Sequence, residues 1–288
     1  IRPRRVLFLA TAEQMPLLRQ AVAEGTDLHA ITLAQAAKML PALRPEYAAG
    51  AAEETDAFDM DVSAIHQGFL RRLRAENGVL ALRNRAGRIW RQADTWHVET
   101  SSGTVFQARV VVNAAGAWGD EVAAMAGVAP LGLVPKRRTA AIIDPSPWDA
   151  SNWPMVLDVG ESWYARPEAR TRLMVSPADE TPTYAHDVQP EEIDIAIGID
   201  RMQQALDIKV SKVEHSWAGL RTFTPDGSLA FGWDSAAEGF FWCVGQGGYG
   251  IQTSPAAGML AAAMVLGMDT GDAAPAIPAI DPVRFLTA

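Results

Sequence analysis

Gly239-Phe-Phe-Trp-Cys-Val-Gly-Gln-Gly-Gly-Tyr-Gly-Ile-Gln-Thr-Ser-Pro-Ala256 decides how this chain is read. Phe240 to Val244 has the apolar, β-favouring composition of a buried strand. Gly245 to Gly250 is a glycine-rich turn, and Ile251 to Leu266 a helix with small residues along it. The turn satisfies G-x-G-x-x-G between a strand and a helix, the spacing of a dinucleotide fold. That fold needs a second parallel strand ending in an acidic residue. Here the chain passes instead into Asp269-Thr-Gly-Asp-Ala-Ala-Pro-Ala-Ile-Pro-Ala-Ile-Asp-Pro282, which argues against an NAD-binding unit. Two readings of the turn stand level on spacing alone. Bare N–H groups and the positive helix end face an anion or an electron-rich ring, or the turn is simply a tight helix start.

Working outward, Arg109-Val-Val-Val-Asn-Ala-Ala-Gly-Ala-Trp118 is a strand running into small residues and then a helix from Asp120 to Ala126, a strand end that lets something large approach the backbone. Before it lie strands at 88–91, 95–100 and 105–112. The chain opens with a strand, Val6 to Ala10, and a helix from Ala12 to Glu24 that stops at Gly25, a candidate C-cap. Thr32 with Gln35 forms a capping box. A helix from Val62 to Glu76 carries Ile65, Phe69 and Leu70 on one face, with Asp61 as its N-cap. Residues 131–215 mix short strands with a helix after Pro190.

Composition narrows the function classes. A charge of −9 opposes nucleic-acid partners, which basic surfaces hold. Cys243 is the only cysteine, so an internal disulfide, a CxxC pair and a cysteine zinc site are excluded; the expected compartment is the cytoplasm, with peripheral attachment to the inner membrane left open. No apolar run is long enough for a transmembrane span. The five histidines lack metal-ligand spacing, no metal site is expected, and no hydrolase motif is present. The first residue is Ile1, and a preceding segment is expected to be missing.

Arg221 lies in Trp217-Ala-Gly-Leu-Arg-Thr-Phe223, among residues that are ordinarily buried, so its guanidinium meets a structural carboxylate or a ligand's; the residues alone favour the structural pairing. Arg137 and Arg138 read as a solvated basic face, though on a strand only one of the two can point into a pocket. Tyr164, Met155 and Leu157 lie on strands whose plainest use is core packing.

Three segments together, Arg109–Arg138, His215–Gly227 and Gly239–Ala256, resemble the FAD-dependent D-amino acid oxidase and glycine oxidase family, and look most like its bacterial D-arginine dehydrogenase branch. The resemblance covers nearly the whole chain except an N-terminal βαβ unit for the FAD pyrophosphate. It implies an α+β or α/β fold, the C-terminal part of a two-domain FAD oxidoreductase. Residues 1–58 and 121–215 would build a substrate domain on a mixed, mostly antiparallel sheet, 59–120 and 216–270 the rest of an FAD domain, and 271–288 a surface tail. FAD would lie along Ala114, Ala115, Gly116 and Trp118 and along Gly247, Gly248, Tyr249, Gly250, Ile251, Gln252 and Thr253. Arg221 would clamp the substrate carboxylate, Tyr164 and Arg138 assist it, and Met155, Leu157, Gly248 and Gln252 line the pocket. The implied reaction is oxidation of a small D-amino acid to the imino acid by hydride transfer, with oxygen or a quinone as final acceptor. Arg2, Arg4 and Arg5 stand where the basic-substrate branch carries an acidic residue, which favours a neutral or acidic substrate side chain. The rivals are a non-catalytic ligand-binding module without FAD and an amine oxidase of the sarcosine or L-proline type.

Overall fold

A computed structural model of the protein describes residues 1–168 and 171–285. The chain divides into two compact units, Ile1–Asp61 with Arg137–Thr181 and Asp187–Gly219, and Val62–Lys136 with Pro182–His186 and Leu220–Ala288. The chain passes between them inside two strands, Val134–Ile143 and Val213–Phe223.

The first unit is built on a nine-stranded sheet. From one edge its order runs Thr181–Pro182, Val134–Ile143, Arg172–Ser176, Tyr164–Glu168, Met155–Asp158, Val6–Ala10, Gly50–Glu54 and Leu28–Ile31, with Val213–Phe223 also pairing with Val134–Ile143. Val6–Ala10 runs parallel to Met155–Asp158 and antiparallel to Gly50–Glu54. Alternation decides which side chains face inward. Leu7 and Leu9 are fully buried, and register carries that face through Val156, Ala165, Val175 and Ala141. The Leu33–Met39 and Glu192–Ala205 helices close it with Ala36, Met202 and Ala205. On the opposite face, Phe8, Ala10 and Ala52 pack with Leu18 of the Met15–Glu24 helix. Farther along that face lie Met155, Leu157, Tyr164 and Arg138.

Several local expectations are met and others amended. Thr32 and Gln35 form the capping box. Gly25 ends its helix in an extended conformation, φ −77°, not as a left-handed cap. Its missing Cβ still matters, because that atom would stand 2.9 Å from the Ala21 carbonyl oxygen. The Val62–Ala75 helix buries no residue, and Phe69 of its apolar face is 53% exposed.

In the second unit Ala86–Gln92, Thr95–Thr100 and Val105–Ala108 form an antiparallel meander. The single strand expected at 105–112 is two: the chain leaves the meander at Arg109, and Val111–Asn113 joins another sheet, parallel to Phe240–Val244. The switch is locked where the Val111 N–H donates to the Gly239 carbonyl at 2.9 Å. Gly239 sits at φ +76°, and a Cβ there would meet the Arg109 carbonyl oxygen at 2.6 Å. Phe240, Trp242 and Val244 form the core with Trp96, Ala123, Val128 and Leu131. That packing places residues 121–136 in this unit, although the sequence suggested a break after 120. The tail is partly docked: Pro282 is buried, Phe285 packs against the core and Arg284 pairs with Asp226; residues 286–288 lie outside the described residues.

Asp158 fixes the strand pair that carries Leu157 and Tyr164. It is 1% exposed and accepts hydrogen bonds from Gln14 Nε2 (2.5 Å), the Ser162 N–H (2.6 Å) and hydroxyl (2.8 Å), and the Gly160 and Trp163 N–H groups (both 3.2 Å). An Asp158→Ala variant leaves these donors unmatched and is expected to lose about 3 kcal/mol of stability in chemical denaturation; a loss under about 0.5 kcal/mol would contradict this role.

Candidate functional site

Val111–Asn113 and Phe240–Val244 are parallel neighbours, Trp242 opposite Asn113, so both release their chains at the same edge of the sheet. The carboxyl edge of parallel strands is where an α/β sheet opens to a ligand, because the turns there expose backbone N–H groups. One turn carries Ala114, Ala115, Gly116 and Trp118, the other Gly247 to Thr253. Thus the two segments assigned to FAD leave one sheet side by side.

The first turn is stapled by Asn113, 2% exposed, whose amide donates to the Gly119 carbonyl at 2.8 Å and whose oxygen accepts the Ala115 N–H at 3.3 Å. Gly116 follows at φ +55°, and a Cβ built on it meets nothing within 4 Å. Asp120 accepts the N–H groups of Leu131 and Leu133 at 2.9 and 2.8 Å, holding the returning chain. Beside this turn is a cavity of about 420 Å³ lined by Arg85, Ala86, Ala115, Trp118, Val122 and Met125 among others.

The second turn is tied to the Val213–Phe223 strand. The Gly247 N–H donates to the Thr222 carbonyl at 2.8 Å. Gly245 and Gly247 have φ of +77° and +51°, open to glycine at little cost. Their bare Cα atoms also make room. A Cβ on Gly245 would lie 2.6 Å from Thr224 Cγ2, on Gly247 2.8 Å from Phe223 Cε1, and on Gly248 2.9 Å from Arg221 Nη1. Arg221 and Phe223, two apart on one strand, therefore underlie adjacent glycines. The Lys136 ammonium sits 4.5 Å over the Phe223 ring, a cation–π contact next to the two arginines read from sequence as a solvated basic face. The Gly250–Leu266 helix starts here without a side-chain cap, at an end where the first-turn N–H groups of a helix have no intrahelical partner.

A loop buttresses this corner from behind. The Thr224 hydroxyl lies 2.6 Å from the Ser228 carbonyl oxygen and 2.9 Å from an Asp226 carboxylate oxygen, its one proton shared between the two acceptors. The Arg284 guanidinium, 2.7 Å from Asp226, holds that carboxyl well below the usual carboxylate range.

In the first unit, Leu157 lies opposite Tyr164 in register, with Met155 and Arg138 on the same sheet face. All four are half-buried. The adjacent arginines divide as strand geometry requires. Arg137 turns to the helix side, to Glu191 and, at 2.7 Å, Asp194. Arg138 donates to the Asp179 carbonyl at 2.8 Å and pairs with Glu180 at 3.0 Å, so a ligand carboxylate at Arg138 would share it with Glu180. Cys243 is half-buried and burial pushes its thiol up, away from nucleophilic chemistry. Among the described residues, no group of three or more His, Cys, Asp or Glu is arranged to hold a metal. Nor is any single helix long and apolar enough to cross a membrane.

Sequence reasoning passed over Thr222, Phe223 and Thr224, and read Asn113 only as part of a strand end. The β-alternation Arg221-x-Phe223 was the one available signal, since a glycine turn must rest on something.

The two central glycines should respond differently to alanine. Gly247→Ala forces a left-handed backbone and pushes on a ring, and is expected to cost about 1–2 kcal/mol or more. Gly248→Ala needs no left-handed backbone and meets only the far end of the Arg221 side chain, so its loss should be smaller, about 0.5 kcal/mol. Equal losses in thermal unfolding would show that the turn is not seated as described. Asp226 supplies a pH test. Its depressed carboxyl stabilises the fold above the unfolded value of about 3.9 and loses that contribution as pH falls through the folded one. The stability gap between the parent and Asp226→Asn should therefore shrink between pH 4 and pH 2; a constant gap would count against the pairing.

The family model described as FAD dependent oxidoreductase, DAO, matches residues 1–264. A curated relative, FAD-dependent oxidoreductase domain-containing protein 1 of Xenopus laevis, is 26% identical over 175 residues, 54% of this chain and 34% of that protein, so the match spans about a third of that relative's length. Among solved structures, glycine oxidase from Geobacillus kaustophilus superposes with a TM-score of 0.79 at 23% identity, covering 94% of this chain and 73% of that one. L-proline dehydrogenase from P. horikoshii gives 0.82 at 20% identity, covering 98% and 76%. At these identities the likeness establishes the mixed helix-and-sheet fold. The match across most of its length places this chain in the DAO family of FAD-dependent oxidoreductases.

Proposed function

We propose that the chain forms the larger part of an enzyme that oxidises a small amino acid, of D configuration, to its imino acid, using FAD. The observation that carries this reading is the Arg221 guanidinium lying against the bare Cα of Gly248, in a corner where two turns leave one parallel-sheet edge. A glycine cradle beside an uncapped helix start suits an electron-rich ring, and a guanidinium on the same corner suits a carboxylate. Small or glycine residues at 114–116 and at 247, 248 and 250 leave room for close approach of a flat cofactor. The second unit is then the remaining FAD domain and the first the substrate domain.

When bound, FAD supplies the two-electron acceptor for the Cα hydride. Arg221 fixes the amino acid through its carboxylate, and much of the rate comes from that positioning. The first-turn N–H groups of the Gly250–Leu266 helix, with Gly248, Gln252 and Thr253 nearby in sequence, stabilise negative charge that develops at the corner. The family resemblance implies that Tyr164, Arg138, Met155 and Leu157, which share one sheet face of the first unit, are substrate residues as well. Deprotonation of the amine in solution leaves no step that requires a histidine. A sarcosine- or L-proline-type amine oxidation uses the same parts with a secondary amine. Glycine oxidase and L-proline dehydrogenase among the fold neighbours keep that alternative in view.

The clamp is tested on the flavin-loaded protein with a dye acceptor, comparing each amino acid enantiomer with the amine that lacks its carboxylate. Arg221→Ala is expected to lower kcat/KM for the amino acid by about 10²–10³-fold and leave the amine nearly unchanged. Arg221→Lys should fall between. Equal losses on both substrates would contradict the assignment.

A further inference from the structure

One large cavity of the first unit lies apart from the residues assigned to the substrate, and it gathers Arg2, Arg4 and Arg5, which the sequence had set against the substrate side chain. Its volume is about 800 Å³, and its lining includes Arg2, Arg4, Arg5, Lys38, Ser151 and Asn152. Four cations around one hollow are a concentrated departure in a chain of charge −9. Two of them are neutralised. Arg4 pairs with Asp59 at 2.8 Å and donates to the Trp153 carbonyl at 2.6 Å, and Arg5 reaches Glu53 at 3.2 Å. Arg2 and Lys38 make no side-chain hydrogen bond or ion pair among the described residues. Both are exposed, so the hollow keeps two uncompensated charges within reach of a ligand.

Its position separates it from the Tyr164 face. Arg5 Nη1 contacts Met39 Sδ at 3.6 Å, and Lys38 lies in the last turn of the Leu33–Met39 helix, on the helix-covered side of the sheet. Met155, Leu157 and Tyr164 occupy the opposite face. Like charges gathered around a concavity repel one another, and an anion between them reverses the sign of that interaction. The donors are mixed: two free cations, a hydroxyl on Ser151 and an amide on Asn152. A phosphate, with three terminal oxygens and charge near −2, uses such a set more fully than a single carboxylate does. The charge of the whole chain opposes a polyphosphate strand as its source.

We propose that this cavity binds the phosphate group of a small phosphorylated molecule. Isothermal titration of the 288-residue chain with inorganic phosphate, methyl phosphate and acetate, at one ionic strength set with potassium chloride, tests it without any turnover assay. The outcome is therefore independent of the oxidoreductase reading. Phosphate and methyl phosphate should each bind saturably at one site, acetate at least tenfold more weakly. Tighter binding of methyl phosphate identifies a phosphate ester as the ligand, and tighter binding of phosphate the free ion. The double variant Arg2→Gln/Lys38→Gln should weaken phosphate at least tenfold, whereas Arg71→Gln/Arg72→Gln, on the exposed face of another helix, should not. Both pairs change exposed side chains, and an unchanged far-ultraviolet spectrum confirms that the variants are folded. No saturable phosphate binding, acetate binding as tight as phosphate, or full binding by Arg2→Gln/Lys38→Gln overturns the proposal.

Discussion

The seating of the glycine corner on the Val213–Phe223 strand is the contact on which the site depends. The backbone bond from Gly247 to Thr222 sets the register, and three absent Cβ atoms let Thr224, Phe223 and Arg221 come up beneath it. Because Arg221 and Phe223 alternate with Thr222, the strand presents a guanidinium and a ring at successive glycines while its backbone holds the turn. A side chain at 245 or 247 would lift the corner away; one at 248 would move only the guanidinium. Rigidity of the turn and placement of the charge thus come from neighbouring positions with different tolerances.

The first unit buries the two faces of its large sheet unequally. Leu7, Leu9, Val156, Ala165 and Val175 bury the helix side, each large aliphatic chain contributing roughly 1.5–3 kcal/mol. The Met15–Glu24 helix covers only the end of the other face near Phe8, Ala10 and Ala52. Asp158, by gathering donors from Gln14 and from the hairpin turn, holds Leu157 against Tyr164 on that face. Arg137, turned to Asp194 and Glu191, pins the helix side; its neighbour Arg138 turns the other way.

Much of this was legible in the residues. Val6–Ala10, Phe240–Val244 and the Thr32–Gln35 box are local signals, strong because apolar alternation and capping chemistry act within a few residues. What could not be read is long-range. The apolar run 105–112 has one composition but two partners, and the strand splits where Gly239, more than a hundred residues on, offers its carbonyl to Val111. The role of Asn113 as a staple depends on a carbonyl six residues away in a turn of irregular shape. The cation–π contact of Lys136 could not be read because its aromatic partner, Phe223, lies far along the chain. The apolar face of the Val62–Ala75 helix was correctly located by period, yet period does not say whether anything covers it.

The account rests on the glycine corner and Arg221 serving a flavin and a carboxylate together. The most direct measurement is the visible absorbance of FAD mixed with the protein and titrated with benzoate, a carboxylate that carries no amine to oxidise. Saturable perturbation of the bound flavin bands, abolished in Arg221→Met while the flavin stays bound, is the predicted result. A bound flavin indifferent to benzoate, or an Arg221→Met protein that responds like the parent, would contradict it.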